Sequence, residues 1–421
     1  MLDIKFIKEN TELVQAGAKK KHIDVDINRL VKIDNKRLLL LKEVEEMRAE
    51  QNLASKQISE MLDEVERRRL ISKMKILKES LTVKEGELKI AEKVWQELMF
   101  QVPNIPDPSV PEGETDVQNQ EVRNWGDLPH FEFEPKSHIE IMEGLGLAEF
   151  ERGSKVAGFR GYFLKGDIAL LNFAVWQFVL DFMSTKKGFT PFIAPSMARE
   201  TNFAGTGYLP QGKEELYKTQ DDLYLAGTAE VPIMGFHADE VLSEESLPRT
   251  YIAFSPCYRR EAGSYGKDVK GLYRVHEFMK MEQIVLCEAS HQESVKWHEE
   301  LTRNAEEIMQ ALKIPYHVVV NCGGDLGLGQ VKKYDIEAWT PSQKKYGETH
   351  SSSYFHDFQT RRLNIRYKDK EGNLRFAHSL NNTAVASPRI LISILENYQQ
   401  ADGSVVVPEV LRKYMGKDLI S

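Results

Sequence analysis

Cys257-Tyr-Arg-Arg-Glu-Ala-Gly-Ser-Tyr-Gly-Lys-Asp-Val-Lys-Gly-Leu-Tyr-Arg-Val-His-Glu-Phe-Met-Lys-Met-Glu282 is the stretch from which the rest of this chain can be read. Two apolar, strand-like runs, Tyr251 to Tyr258 and Phe278 to Leu286, flank a loop dense in glycine and fixed charge. Arg259 and Glu261 alternate at period two, which on a strand puts both side chains on one face. Gly263, Gly266 and Gly271 permit turns and close backbone approach. A cation and a carboxylate beside such a loop suit a polyanionic nucleotide. The plainer reading, a surface hairpin with solvated charges, fits an isolated Arg-x-Glu but not a stretch of this length.

Around that hairpin lie 421 residues, enough for two or three domains with a substantial core. Charged residues make up 29% and hydrophobic residues 41%, as in ordinary soluble globular proteins. The most apolar segment, 168–183, is broken by Asn172, Gln177 and Asp181, so no membrane span is expected. The opening residues lack a signal peptide's apolar core and contain acids, which makes the cytoplasm the expected compartment. Cys257, Cys287 and Cys322 are far apart and odd in number, which speaks against a disulfide framework. His291, His298, His350, His356 and His378 show no ligand spacing, and no catalytic zinc is expected.

Net charge is −8, at first sight a poor match to nucleic acid. Between Arg29 and Met99, however, 16 basic residues face 14 acidic ones, so this segment is slightly positive within an acidic chain. Its pattern is that of an antiparallel helical hairpin. Leu30, Ile33, Arg37, Leu40, Val44, Met47, Gln51, Ala54, Ile58 and Met61 step alternately by three and four. Leu70, Met74, Leu77, Leu81, Lys84, Leu88, Ala91, Trp95 and Leu98 do the same on the return. Each limb would reach roughly 50–60 Å. With its outer face charged, the hairpin is expected to stand out as an arm, either a dimerisation element or, given Arg67, Arg68, Arg69, Lys73 and Lys75 near the bend, a contact for a polyanion.

The expected organisation is an N-terminal domain over 1–100 with the arm at about 29–99, a proline-rich linker over 101–126, and a second domain over 127–421. The fold class is α+β. Beyond the linker, strands are expected at 189–195, 222–226, 251–258, 278–286, 316–320 and 335–339, and helices at 167–187, 229–236, 290–312 and 384–399. This order suggests an antiparallel sheet flanked by helices. The glycine-rich run from Asn321 to Gly329 reads as a turn rather than a phosphate cradle.

The succession Gly188-Phe-Thr-Pro-Phe-Ile-Ala-Pro195, Thr228-Ala-Glu230, Tyr258-Arg-Arg-Glu-Ala-Gly263, Glu348 to Ser351 and Ala386-Ser-Pro-Arg389 resembles the class II aminoacyl-tRNA synthetases. The run Gly263 to Phe278, with Asp357-Phe-Gln-Thr-Arg-Arg362 and Ile394-Leu-Glu-Asn-Tyr-Gln399, is similar more narrowly to the seryl-tRNA synthetase family, from residue 1 to about 416. The resemblance implies activation of L-serine by ATP and transfer of serine to tRNA(Ser), and also to tRNA(Sec) where the host makes it. It implies a homodimer, with residues 172–195 at its interface and the arm on the long variable arm of the tRNA.

By the same resemblance Arg259 meets the α-phosphate and Arg389 the β/γ end, both as catalytic cations, since a guanidinium stays charged and donates in a fixed fork. ATP binding extends to Arg260, Glu261, Val275, Glu348, Thr349, His350 and Ser351, with Glu348 and Ser351 holding Mg²⁺. Thr228, Ala229, Glu230, Glu282 and Thr383 form the serine pocket. Without the resemblance, Glu-x-x-Ser reads as a solvated loop, His350 either as a donor behind the metal ligands or, more plainly, as a solvated loop histidine, and Glu282 as a partner of Lys280 or Arg274. The chain departs from the family at Thr383, at Asn381-Asn382, at Thr349-His350, and at Lys267, Val269 and Lys270. Two rivals remain: a paralogue passing an aminoacyl-adenylate to a carrier protein, against which the intact arm speaks, and a non-enzymatic nucleic-acid-binding relative, against which Arg259, Glu261, Glu348 and Arg389 speak.

Overall fold

A computed structural model describes residues 1–263 and 270–421, so Gly266, Lys267 and Val269 lie outside the described residues. The chain divides into two compact units, one of Leu2–Lys19 and Ile23–Pro103, the other of Met1, Lys20–His22 and Asn104–Ser421.

The first unit is helical. Helices α1 (Ile4–Glu9) and α2 (Thr11–Lys20) bury Ile7, Val14 and Ala18, and Lys8 pairs with the buried Asp34. Then come the two long limbs, α3 (Ile27–Glu60) and α4 (Glu64–Gln101). Asp26 caps the first by accepting from Arg29 N at 2.8 Å; Asp63 caps the second by accepting from Val65 N at 2.8 Å. The expected seam is the one that is buried: Leu40 and Val44 pack with Leu81, Leu88 and Ala91. Two of its polar interruptions, Arg37 and Lys84, have partners of their own. Arg37 donates to Asp34 at 2.8 Å and lies over the Trp95 ring at 4.7 Å, while Lys84 pairs with Glu43 at 2.9 Å.

The second unit is built on an eight-stranded sheet of β1 (Gln120–Trp125), β2 (Thr190–Ile193), β3 (Arg249–Tyr258), β4 (Glu277–Cys287), β5 (Tyr316–Val320), β6 (Lys332–Thr340), β7 (Lys345–His356) and β8 (His378–Ser387). The spatial order is β1-β5-β6-β7-β8-β4-β3-β2. Every pairing is antiparallel except that of the edge strand β2 with β3. Helices α5 (Asp167–Asp181), α7 (His291–Ala311) and α9 (Arg389–Tyr398) pack on this sheet; α6 (Glu230–Phe236) and α8 (Phe358–Leu363) flank it. Although Asp167–Lys186 is long and apolar enough to cross a membrane, Leu171, Val175 and Val179 of this segment are fully buried in the core.

Three local outcomes differ from the sequence reading. Residues 384–387 complete β8, and the expected helix starts only at Arg389. Pro388 accounts for this, because the residue before a proline is held extended. The segment read as a linker carries β1, whose Gln120–Trp125 run pairs with β5. Strands β7 and β8 were not expected, since Ser351-Ser-Ser353 and Asn381-Asn-Thr383 have polar side chains on both faces. Replacing Leu40, 4% exposed in the helical seam, by alanine is expected to cost about 2–4 kcal/mol. Circular-dichroism melting of the full chain should show the helical unit unfolding earlier while the transition of the sheet unit stays in place.

Candidate active site

A cavity of 340 Å³ opens where β3, β4, β8 and β7 lie side by side. On β4, plain alternation turns Phe278, Lys280 and Glu282 toward it. On β7, the same alternation would put Glu348 and Ser351 on opposite faces. A β-bulge intervenes: Glu348 opposes Glu337 and His350 opposes the adjacent Ile336, leaving Thr349 as the extra residue. Parity inverts, and Glu348 joins Ser351 and Ser353 on the cavity wall. β8 repeats the device. Thr383 opposes Glu282 and Val385 opposes Met281, with Ala384 extra, so Thr383 and Ala386 both line the cavity although three residues apart.

Arg259 and Glu261 line it too, but not from a strand. β3 ends at Tyr258, and Glu261 has a left-handed φ of 54°. Arg259 is fixed through its backbone, whose N–H donates to His276 O at 2.9 Å, and its guanidinium lies over Phe278 at 5.2 Å. Arg274 donates to Glu261 Oε2 at 2.7 Å. Arg389, at the first turn of α9, donates to Tyr273 O and Glu348 O, both at 3.1 Å, and pairs with Glu348 Oε2 at 3.1 Å. Burial works against the charge of Glu348, but Arg389, Lys333 and Arg259 outweigh it and hold this carboxyl below its ordinary range.

The acids deeper in the cavity behave differently. Glu282 forms an ion pair with Lys280, the plainer of the two readings of its sequence; burial still pushes its carboxyl upward. Glu230 is 4% exposed and has neutral hydrogen-bond donors: Gln359 Nε2 at 2.5 Å on one oxygen and Tyr208 Oη at 3.0 Å on the other. Burial raises it to about 7. Gln359 is itself set by Ser379, whose hydroxyl donates to Gln359 Oε1 at 2.7 Å.

Thr228, Glu230, Arg259, Glu261, Val275, Glu282, Glu348, Thr349, Ser351, Thr383 and Arg389 thus line one cavity. Ala229, Arg260 and His350 do not. Ala229 is buried in the apolar cluster of Ile233, Tyr251 and Ile284; Arg260 turns outward to within 3.6 Å of Glu214. His350 is no solvated loop residue. It is 1% exposed, and burial lowers its imidazole to about 4. Because Ala384 O can only accept, His350 Nε2 carries the proton and donates to it at 3.1 Å, leaving Nδ1 2.8 Å from the Thr349 hydroxyl.

Sequence reasoning assigned no role to Tyr208, to Gln359, or to the loop 327–330, which also forms part of the wall. The glycine-rich run holds two tight turns, one at Gly323–Asp325 and one at 327–330, where Gln330 N donates to Gly327 O at 3.2 Å. Lys21 holds the loop by donating to Gly327 O and Leu328 O, each at 3.0 Å, and to Gln330 O at 2.5 Å. A lysine whose donors all end on carbonyls more than 300 residues away leaves no local pattern to read.

Comparison with known proteins agrees at every level. Residues 1–106 match the seryl-tRNA synthetase N-terminal domain, and residues 214–398 the class II tRNA synthetase core domain (G, H, P, S and T). Serine–tRNA ligase of Deinococcus radiodurans is 48% identical over 99% of this chain and 98% of its own length. That of Caldicellulosiruptor saccharolyticus is 45% identical over the whole of both. Among solved structures, seryl-tRNA synthetase of Pyrococcus horikoshii complexed with ATP superposes with a TM-score of 0.90 at 39% identity, covering 100% of this chain and 99% of that one. The cytoplasmic enzyme of Naegleria fowleri in complex with AMP gives 0.87 at 33% identity with the same coverage.

The titration of Glu230 can be tested through stability. Its folded pKa, about 7, lies above the roughly 4.3 of an unfolded glutamate, so folding favours the protonated form. That contribution is complete below the unfolded value and is lost as pH rises through 7. Glu230→Gln is therefore expected to be more stable than the parent at pH 8, by about 1–3 kcal/mol, with the gap closing toward pH 4. Melting temperatures across that range check it.

Proposed function

The chain belongs to the seryl-tRNA synthetase family, and from that premise we propose how its cavity divides the work of charging tRNA with serine at the expense of ATP. In the first step a serine carboxylate oxygen attacks the α-phosphorus of ATP; the bond to the β-phosphate oxygen breaks, pyrophosphate leaves, and seryl-adenylate remains. In the second, a hydroxyl of the terminal adenosine of tRNA attacks the seryl carbonyl and AMP leaves. Neither step needs a protein nucleophile. Positioning and fixed charge suffice.

The observation that carries this reading is the presence of Arg259 and Arg389 in one cavity with Thr228, Glu230, Glu282 and Thr383. Arg259 takes the α-phosphate, where negative charge builds up, and Arg389 the β/γ end. Glu261 and Val275 face the nucleoside. Glu230 and Glu282 receive the serine ammonium and hydroxyl, aided by Thr228 and Thr383. Alanine is rejected because it would leave those buried groups unpaired. Glu348 and Ser351, brought to one face by the bulge, offer the hard oxygen donors that suit Mg²⁺. When bound, that ion neutralises phosphate charge.

Beyond the cavity, we assign residues 1–100 to tRNA binding through the arm at about 29–99, and the sheet unit, which takes in β1 at Gln120–Trp125, to catalysis. The substrates are tRNA(Ser) and, where present, tRNA(Sec). The protein is a cytoplasmic homodimer joined through 172–195, a reading supported by Phe173 and Ile193, 69% and 87% exposed in that segment.

Arg259→Ala is expected to lower serine-dependent ATP–pyrophosphate exchange by about a hundredfold or more while the protein stays folded. Near-normal exchange would refute its role. Deleting residues 35–93 should spare exchange and abolish charging of tRNA(Ser); charging that survives would make the arm structural. The carrier-protein rival predicts adenylate formation in the intact chain without any charging.

A further inference from the structure

The two bulges that turn the cavity's side chains inward lie on neighbouring strands, and each leaves one extra residue, Thr349 on β7 and Ala384 on β8. Backbone pairing between the strands runs from the far end up to Ser352 opposite Asn382 and stops there, short of both bulges. Beyond that point His350 spans the gap. Its Nδ1 accepts from the Thr349 hydroxyl at 2.8 Å, a nearer acceptor for that single proton than Ile336 O on β6 at 3.1 Å, and its Nε2 donates to Ala384 O at 3.1 Å. The imidazole therefore touches both extra residues and uses up both ring nitrogens on them. It is buried and contributes nothing to the cavity wall.

We propose that His350 is a positioning residue that clasps the two bulges together and so sets Glu348 and Ser351 relative to Thr383, keeping the nucleotide side and the serine side of the cavity in register. The proposal rests on the assignment above of Glu348 and Ser351 to the ATP side and of Thr383 to serine. A bulge has no ladder hydrogen bond to hold its extra residue, so without a clasp each can shift independently of the other. A side chain that buries one donor and one acceptor on two separate strands fixes their offset, because moving either strand leaves a buried polar group unpaired. Groups one step behind metal ligands are worth on the order of ten- to a hundredfold in affinity or activity, which sets the scale expected for the clasp.

Full-length protein carrying His350→Phe, which keeps the ring but loses both hydrogen bonds, is compared with His350→Gln, whose amide can donate to Ala384 O and accept from Thr349. Dissociation constants for Mg·ATP and for L-serine are measured separately by calorimetry, alongside melting temperature. The expected result is that His350→Phe weakens both ligands by about tenfold or more and His350→Gln recovers most of each loss. A lower melting temperature with both affinities intact would reduce His350 to a structural residue and overturn the proposal. Weakening of one ligand alone would overturn it as well, since the clasp would then serve a single strand. If His350→Phe does not fold, Thr349→Val decides: a substitution on β7 should weaken serine bound beside β8, and unchanged serine affinity sinks the idea. Glu348→Gln and Thr383→Val serve as controls. Unchanged ATP affinity in the first or unchanged serine affinity in the second would discredit the site assignment itself; loss in both with normal binding in His350→Phe discredits only the clasp.

Discussion

Four carboxylates share this cavity, and one taken out of water, as Glu230 and Glu282 are at 4% and 3% exposure, is too costly to persist alone. The protein meets that constraint in two ways. Glu348, Glu261 and Glu282 are each matched to a cation, Arg389, Arg274 and Lys280 respectively. Glu230 is matched instead to an amide and a phenol, which can hydrogen-bond a charge but not cancel it, and it titrates near neutrality. On the proposed reading the serine ammonium is the cation that this acid lacks. The empty pocket would then be balanced by a proton and the filled one by the substrate.

That arrangement depends on a sheet whose other face is also polar in places and is tied to a helix by side-chain hydrogen bonds. Behind the cavity, Gln283 and Asn382 both donate to Leu301 O of α7, at 3.1 and 2.6 Å, and Asn304 donates to Gln283 at 2.9 Å. His298 stacks on Tyr334 at 4.7 Å and reaches Ser352 O at 3.0 Å. A purely apolar contact would let α7 slide along β4, β8 and β7; hydrogen bonds to single atoms fix its register. The strands bearing Glu282, Thr383 and Ser351 are thereby held from behind as well as from the side.

Much of this was legible in the residues. The helical seam could be read because burial and heptad spacing coincide, and its interruptions at Arg37 and Lys84 found partners on the facing limb or nearby. The hairpin around Arg259 could be read because its strands are apolar. By contrast, β7 and β8 were missed for the reason that makes them useful: strands lining a polar cavity lack apolar alternation. For His350 the residues leave a supporting donor and a solvated histidine both open, because nothing local distinguishes a buried clasp from a loop histidine. Gln359 and Tyr208 act on Glu230 from positions 129 and 22 residues away, and only the fold brings them together.

The bulge at Thr349 also bears on how such a sequence can change over generations. Because it works by inverting the parity of the strand, what it demands is a count of residues rather than a kind of residue. For the parity alone any side chain would serve at 349; the hydroxyl that Thr349 offers His350 is a separate demand. Losing the bulge with the residue count unchanged would send the acid and the serine to opposite faces, whereas losing one residue together with the bulge would leave them two apart and on one face by plain alternation. Within this strand the interval and the bulge are therefore tied to each other: relatives with two positions between the acid and the serine should keep the bulge, and relatives with one position between them should do without it.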